Sequence, residues 1–195
     1  MPEREMALNS FPLSQSTAAA PASESVSVNA VLVERIRNGD DEAFGEMYRQ
    51  FAPLVHGILI SRMPRQDVQD VVQEVFLSAY KNIGSLKDVD ALGAWLARIA
   101  RNHAAEHYRS SRPTDELPEE TPAAGGRQAE AAEVMRAIRS LPEAYSETLT
   151  LRLIEGMTGS EIAAATGLKP DSVRVNLHRG MEMLRQTLGI SGEKK

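Results

Sequence analysis

The chain contains no cysteine among its 195 residues. Disulfides and thiolate-held metals are thereby excluded, and the composition fits a reducing compartment. No apolar run approaches the ~18 residues that a membrane-crossing helix needs, so no insertion into a membrane is expected. The opening residues, MPEREMALNS, lack a basic start followed by an apolar run, so no secretory signal is expected. No stretch alternates apolar and polar residues with period two, which argues against strands. No segment repeats. An excess of positive charge is also missing: the formal net charge is −5, which taken alone counts against a nucleic-acid partner.

The distribution of that charge changes its meaning. Residues 28–112 carry eleven basic and eleven acidic groups, and residues 128–195 carry nine of each. The surplus acid lies in residues 1–27 and in 113–127, where Asp115, Glu116, Glu119 and Glu120 face a single Arg127. Two neutral segments can each carry a basic face, so local patterning must decide.

What the chain does have is helical periodicity in two blocks. Residues 1–27, rich in Ala, Ser and Pro, cannot bury enough apolar surface to order themselves and are expected to form a disordered extension. From Asn29 a short amphipathic turn-and-a-half is expected, ending near Gly39. The next segment places Phe44, Met47, Tyr48, Phe51, Leu54 and Val55 at helical spacings, with Pro53 expected to kink or interrupt it. A third segment sets Val68, Val71, Val72, Val75, Phe76 and Ala79 on one side and Asp67, Asp70, Gln73 and Glu74 on others. ALGAWLARIARNHAAEHYRSS reads as a fourth helix. Three prolines and two glycines in residues 111–127 mark a linker, which reaches at most ~55–60 Å when extended. Helices resume at Gln128. Pro142 is expected in the first turn of the next helix, and Gly156 is expected to stop it.

The stretch MTGSEIAAATGLKPDSVRVNLHRG is the most informative. Thr158 and Glu161 have capping-box spacing, and Met157 and Ile162 have that of a hydrophobic staple. Gly167 permits a left-handed turn. Pro170 suits the first position of a new helix, with Asp171 near its positive end. Val173, Leu177 and Leu184 can face a core while Arg174, Asn176, His178 and Arg179 stay outside. Two short helices so arranged describe a helix-turn-helix whose second helix reads base edges in the major groove. A helical hairpin with a solvated charged face is the plainer alternative.

A second motif points elsewhere. His103, Glu106 and His107 spell H-x-x-E-H, a spacing that supplies two metal ligands and a general base in one group of zinc peptidases. At ~100° per residue, however, Leu92, Trp95, Leu96, Ile99 and His103 share one helix face. Arg98, Arg101, Asn102, Ala105 and Arg109 share another, a basic stripe suited to phosphates and bases. Trp95 is thus expected in the core. A zinc site also needs a third ligand, and His56 and His178 lie in other segments.

The ordered set DVQDVVQEVFLSAY, WLARIARN, LPEAYSETLTLRLIEGMTGSEIAAATGL and SVRVNLHRGMEMLR, spread over residues 28–188, resembles a bacterial sigma factor of the sigma-70 family, extracytoplasmic-function (ECF) group. The resemblance implies an all-α chain of two small helical domains joined by a flexible acidic linker, the C-terminal one a helix-turn-helix. A domain over 28–112 would bind core RNA polymerase and read the −10 element. Residues 113–127 would be the linker, 128–190 a second domain that reads the −35 element, and 191–195 a tail. Asp67, Asp70, Gln73 and Glu74 would meet the β′ clamp helices. Asn82, Ser85 and Lys87 would belong to a loop that holds an unstacked base, with Arg98, Arg101, Asn102 and Arg109 on the adjacent −10 helix. Lys169, Ser172, Arg174, Val175, Asn176, His178 and Arg179 would meet the −35 element. Where the family often carries Lys-Ser-Arg before Leu-His-Arg, this chain has Arg174, Val175 and Asn176, which exchanges a charge for an amide suited to adenine.

The resemblance further implies core RNA polymerase (β′ clamp helices and β flap), promoter DNA and an anti-sigma factor as partners, a cytoplasmic location, and no catalytic residue, metal or cofactor. For the linker acids two readings stand: mimicry of nucleic acid inside the polymerase, or a solubilising strap. Two other functions compete. A helix-turn-helix regulator that is not a sigma subunit would need an αβ receiver domain, for which residues 28–112 show no strand pattern. A zinc hydrolase would need the missing ligand.

Overall fold

The computed structural model describes residues 27–110 and 127–190. Among them are eight α-helices, two short 3-10 turns and no strand. The helices are α1 (Val28–Arg37), α2 (Asp41–Ile60), α3 (Arg65–Asn82), α4 (Leu92–Ser110), α5 (Arg127–Arg139), α6 (Glu143–Leu153), α7 (Gly159–Thr166) and α8 (Pro170–Thr187). The 3-10 turns, Ile83–Ser85 and Val89–Ala91, join α3 to α4.

The N-terminal body is a bundle of α1 to α4 around α2. Its core is aliphatic: Met47, Leu54, Ile58, Leu59, Leu92 and Leu96 are fully buried. Each contributes roughly 1.5–3 kcal/mol relative to an exposed side chain. The six residues expected on the inner side of α3 are the six buried there, because a spacing of three and four keeps them within one stripe. In α2 the start is fixed by Asp40, whose carboxylate accepts from the Ala43 N–H at 3.0 Å. Arg35 then ties the α1–α2 corner together, donating to Asp40 at 2.8 Å and to Glu46 at 3.1 Å.

Three expectations about helix limits need correction. First, α1 runs for 10 residues rather than a turn and a half, because Leu32, Val33 and Ile36 all reach the core. Second, Pro53 does not interrupt α2, which is one helix of 20 residues. Its ring lies on the exposed side, while Phe51, Leu54 and Val55 around it are buried, so packing holds the segment helical despite one missing N–H. Third, Pro142 is the N-cap of α6 and not its first helical residue, with an extended ψ of 140°. That helix ends at Leu153, and Gly156 follows in the connection to α7.

The C-terminal body packs α6 against α8, with α5 and α7 flanking them. The capping box at the start of α7 is formed in both directions: Thr158 Oγ1 accepts from the Glu161 N–H at 3.2 Å and Glu161 accepts from the Thr158 N–H at 2.7 Å. An 8-residue helix is too short to hold itself without such ends. Gly167 closes α7 at φ +74°, a left-handed conformation that any side chain would strain. Pro170 opens α8 at its first turn. The helix-turn-helix read from the sequence is therefore built as expected.

The two bodies are not separate beads. Leu151, Ile162, Ala163 and Val173 of the C-terminal body belong to the same buried cluster as the core of α1 to α4. Helix α6 lies on α2, and α7 lies on α4.

Candidate nucleic-acid interface

Helix α4 divides as its periodicity requires. Leu92, Trp95, Leu96 and Ala100 are buried in the bundle, and Trp95 is core, 8% exposed. Arg98, Asn102 and Arg109 are exposed. Arg101 is not free for a ligand in this conformation. Its guanidinium donates two hydrogen bonds to Glu147 of α6, at 2.7 and 3.1 Å. The stripe of α4 is thus split into three exposed groups and one that is engaged across the interface.

The segment before α4 is held in shape by its own polar groups. The Asn82 amide donates to the Ser78 carbonyl at 2.8 Å, and the Ser85 hydroxyl donates to the Asn82 carbonyl at 2.7 Å. Lys87 is exposed beside them. Arg37 of α1 supports the same segment, donating to the Leu86 carbonyl at 2.6 Å. Ile83 and Leu86 are buried and anchor it from below. The sequence motif gave no hint of Arg37, because the contact joins residues 49 positions apart.

On α8, Ser172, Arg174, Val175, His178 and Arg179 are exposed, as is Lys169 at its N-cap. Arg174 lies 3.4 Å from Asp171 with both side chains in solvent, a pair that constrains little. Asn176 is half-buried and turned toward Thr148 of α6, 3.5 Å away, the limit of a hydrogen bond. It therefore sits at the edge of the outward face. Val173 and Leu184 are buried beneath.

On α3, Asp70, Gln73 and Glu74 are exposed and Asp67 is half-buried. The two histidines of the H-x-x-E-H motif face this acidic helix. His103 Nδ1 lies 3.6 Å from Glu74 and His107 Nε2 lies 3.6 Å from Asp67. Each imidazole thus meets a different carboxylate, two turns of α3 apart. Among the described residues no group of three or more His, Asp or Glu is placed to hold a metal ion.

Charged residues that the sequence reading passed over lie between the bodies. Glu147 is 6% exposed and accepts from both Arg101 and Arg62. Burial alone would raise its carboxyl, but the hydrogen bonds and charges of Arg101 and Arg62 outweigh that and hold it below the ordinary glutamate value. Hydrogen bonding to Glu147 holds the Arg101 guanidinium above its own. Glu143 reaches Arg62 as well. His56 Nδ1 meets Glu155 at 2.7 Å, and Arg139 donates to the Met63 carbonyl at 3.2 Å. No local sequence signal pointed here, and the burial is seen only in the fold. Helix α6 buries six consecutive residues, Ser146 to Leu151, and a helix without a polar face is covered on more than one side.

An all-helical chain with a capped helix-turn-helix, a basic second helix and a further basic stripe on α4 defines a DNA-reading protein. Comparison with known proteins makes this specific. The family model of sigma-70 region 2 matches residues 47–114, and that of sigma-70 region 4 matches residues 131–184. The ECF RNA polymerase sigma-E factor of Escherichia coli (strain K12) is 32% identical over 173 residues, which cover 79% of this chain and 91% of that protein. The RNA polymerase sigma factor CarQ of Myxococcus xanthus is 32% identical over 167 residues, 80% of this chain and 95% of that protein. Among solved structures, CnrH in complex with the cytosolic domain of CnrY matches with a TM-score of 0.59 at 27% identity, over 83% of this chain and 97% of that one. The chain belongs to the sigma-70 family of RNA polymerase sigma factors, in the ECF group. The reading as a regulator of another kind is not favoured, and no helix among the described residues is long and apolar enough to cross a membrane.

Proposed function

We propose that this chain is a non-catalytic subunit that joins core RNA polymerase in the cytoplasm and directs it to promoters through two separate readers. The first is the body over 28–112. Asp67, Asp70, Gln73 and Glu74 of α3 meet the β′ clamp helices. Asn82, Ser85 and Lys87 hold a displaced base, and Arg98, Arg101, Asn102 and Arg109 of α4 meet the −10 element. Extruding a base costs a few kcal/mol, so a loop braced by Arg37, Ile83 and Leu86 suits the task better than a mobile one. The second reader is the body over 128–190, joined to the first by residues 113–127. Lys169, Ser172, Arg174, Val175, Asn176, His178 and Arg179 meet the −35 element, and the same body contacts the β flap.

The observation that carries this reading is the exposure of polar and basic groups at the start of α8, presented by a fully formed cap-and-turn. The linker acids and residues 1–26 lie outside the described residues. The similarity to CnrH, solved in complex with the cytosolic domain of CnrY, supports a further protein partner for this chain, which we take to be an anti-sigma factor. The test is gel filtration of the chain with core polymerase, followed by footprinting of the complex on a promoter library. Co-elution with protection at two sites about 25 base pairs apart on the DNA, or ~85 Å at 3.4 Å per pair, is expected. Protection of a single site, independent of polymerase, would refute it.

A further inference from the structure

We propose that His103 and His107 of α4 are positioning residues for the polymerase-contact face of α3. Their protonation draws Glu74 and Asp67 away from that face, so affinity for core polymerase falls as the pH drops through the neutral range. The proposal rests on the assignment of that face to the β′ clamp helices. It gives a role to the two histidines of the H-x-x-E-H motif, which the reading of α4 as a DNA helix leaves unused.

The geometry is a pair of facing ladders. His103 and His107 are one turn apart, so both rings leave the same side of α4. Glu74 and Asp67 lie two turns apart on one side of α3. Nδ1 of His103 stands 3.6 Å from Glu74, and Nε2 of His107 stands 3.6 Å from Asp67. Those distances exceed a good hydrogen bond, so neutral rings hold the carboxylates weakly. A protonated ring at the same distance attracts a carboxylate strongly, and histidine as a side chain gains that charge between about pH 5 and 8. Both rings are mostly shielded, with side chains 24% and 27% exposed. Asp67 is 33% exposed and Glu74 62%. The His107–Asp67 pair is therefore the better protected from solvent and carries more of the effect, since an exposed pair contributes little.

Of the charged groups on the other elements packed against α4, His56 of α2 meets Glu155, and Arg62 just beyond α2 meets Glu143 and Glu147. Glu161 of α7 is tied into its own capping box. On α4 itself, Arg101 pairs with Glu147 and Glu106 is exposed beside the rings. Asp70 and Gln73 of α3 complete the contact face and are exposed; among the described residues neither pairs with a histidine. An acidic face calls for a cationic partner. That partner must take Glu74 and Asp67 from the imidazoliums, which also repel it from close by. Binding then expels protons from the rings. Neutral rings at higher pH leave both carboxylates to the polymerase, so affinity rises with pH and levels off once the rings are neutral.

The test uses the full chain and purified core polymerase. The chain has no native cysteine, so one dye can be placed on Gln186→Cys of α8, which is exposed and far from α3 in sequence. The dissociation constant is measured by anisotropy from about pH 6 to about pH 8 at fixed ionic strength. The chains compared are the parent, the double variant His103→Gln, His107→Gln, and each single variant, which stand in if the double variant folds poorly. Glutamine keeps polarity and takes no proton. Calorimetry in two buffers of different protonation enthalpy counts the protons released on binding. Circular dichroism and melting curves at each pH report folding. Because the polymerase is common to all, its own titrations cancel in the comparison of parent with variant.

The expected result is that parent and double variant bind alike at about pH 8, and that the parent alone loses roughly three- to tenfold by about pH 6, the scale of one or two half-exposed ion pairs. The parent should also release more protons on binding, and His107→Gln should flatten the profile more than His103→Gln. Identical profiles and proton counts in parent and double variant would overturn the proposal. So would an equal loss of the double variant at every pH, which would make the rings mere packing. Undiminished binding by Asp70→Lys with Glu74→Lys at about pH 8 would instead strike the assignment of α3 to the clamp, and this proposal with it, whatever the histidine profiles show.

Discussion

Replacing Arg98 of α4 by Ala should weaken promoter binding by an amount that depends on salt in a calculable way. Arg98 is exposed, so it makes no contact whose loss would disturb the fold. A cation that meets one phosphate contributes ~0.7 to the slope of log K against log salt on a single strand and ~0.9 on a duplex. Raising salt from about 50 to about 200 mM is a fourfold change, so the penalty of the substitution should shrink by roughly threefold across that range. Arg101 gives the internal comparison. In the free chain it is bound to Glu147, so Arg101→Ala should leave the slope of free-chain DNA binding nearly unchanged. In the holoenzyme, where the proposed readers reach two separate elements, it should lower the slope as Arg98→Ala does. The assay is fluorescence anisotropy on a forked promoter duplex across a salt series, for free chain and holoenzyme. Parallel plots for parent and Arg98→Ala in the holoenzyme would refute the assignment of this face to the phosphate backbone.

Other outcomes follow from the same geometry. Asp70→Lys with Glu74→Lys should abolish co-purification with core polymerase while leaving the helical circular dichroism intact, since both side chains are exposed; retention of binding would move the contact off α3. Asn176→Ala should cost roughly 1–3 kcal/mol at one or two base pairs only, read on single-base promoter variants; a uniform loss would mean that Asn176, at the edge of its face, serves the packing against Thr148 instead. Thr158→Ala removes the side-chain acceptor at the start of α7 and should cost ~1 kcal/mol, a fall in melting temperature of ~2–4 °C. Because Glu147 is held below the ordinary glutamate value, its contribution is present above that value and lost as pH falls through the lower one. The stability advantage of the parent over Glu147→Gln should therefore narrow as the pH drops below 4.5, in melts followed across the acid range.

Much of this architecture is legible in the sequence. The inner stripe of α3 and the outward basic groups of α8 follow from helical period alone. The Thr158–Glu161 box, Gly167 and Pro170 follow from the few residues that those backbone positions accept. The helix limits were less legible where packing overrode local preference, as at Pro53, whose cost is outweighed by the buried residues around it. The division of α4 was readable as two faces, but not the capture of Arg101, because its partner Glu147 is 46 residues away. Arg37 and the loop it braces were invisible for the same reason. The H-x-x-E-H motif shows the reverse case. Its spacing is suggestive, yet its histidines are turned onto two carboxylates of α3 by a packing that no local motif encodes. Contacts between elements distant in sequence were what the residues alone withheld, and the interface between the two bodies consists entirely of such contacts.

The central claim is that this chain gives core RNA polymerase its promoter. The most direct measurement is run-off transcription with purified core polymerase on a library of promoter fragments, with and without the chain. The account predicts discrete transcripts only when the chain is present, from templates sharing two elements at fixed spacing, and their loss with the Asp70→Lys, Glu74→Lys double variant. Transcripts that are identical with and without the chain, at saturating concentration and verified folding, would contradict it.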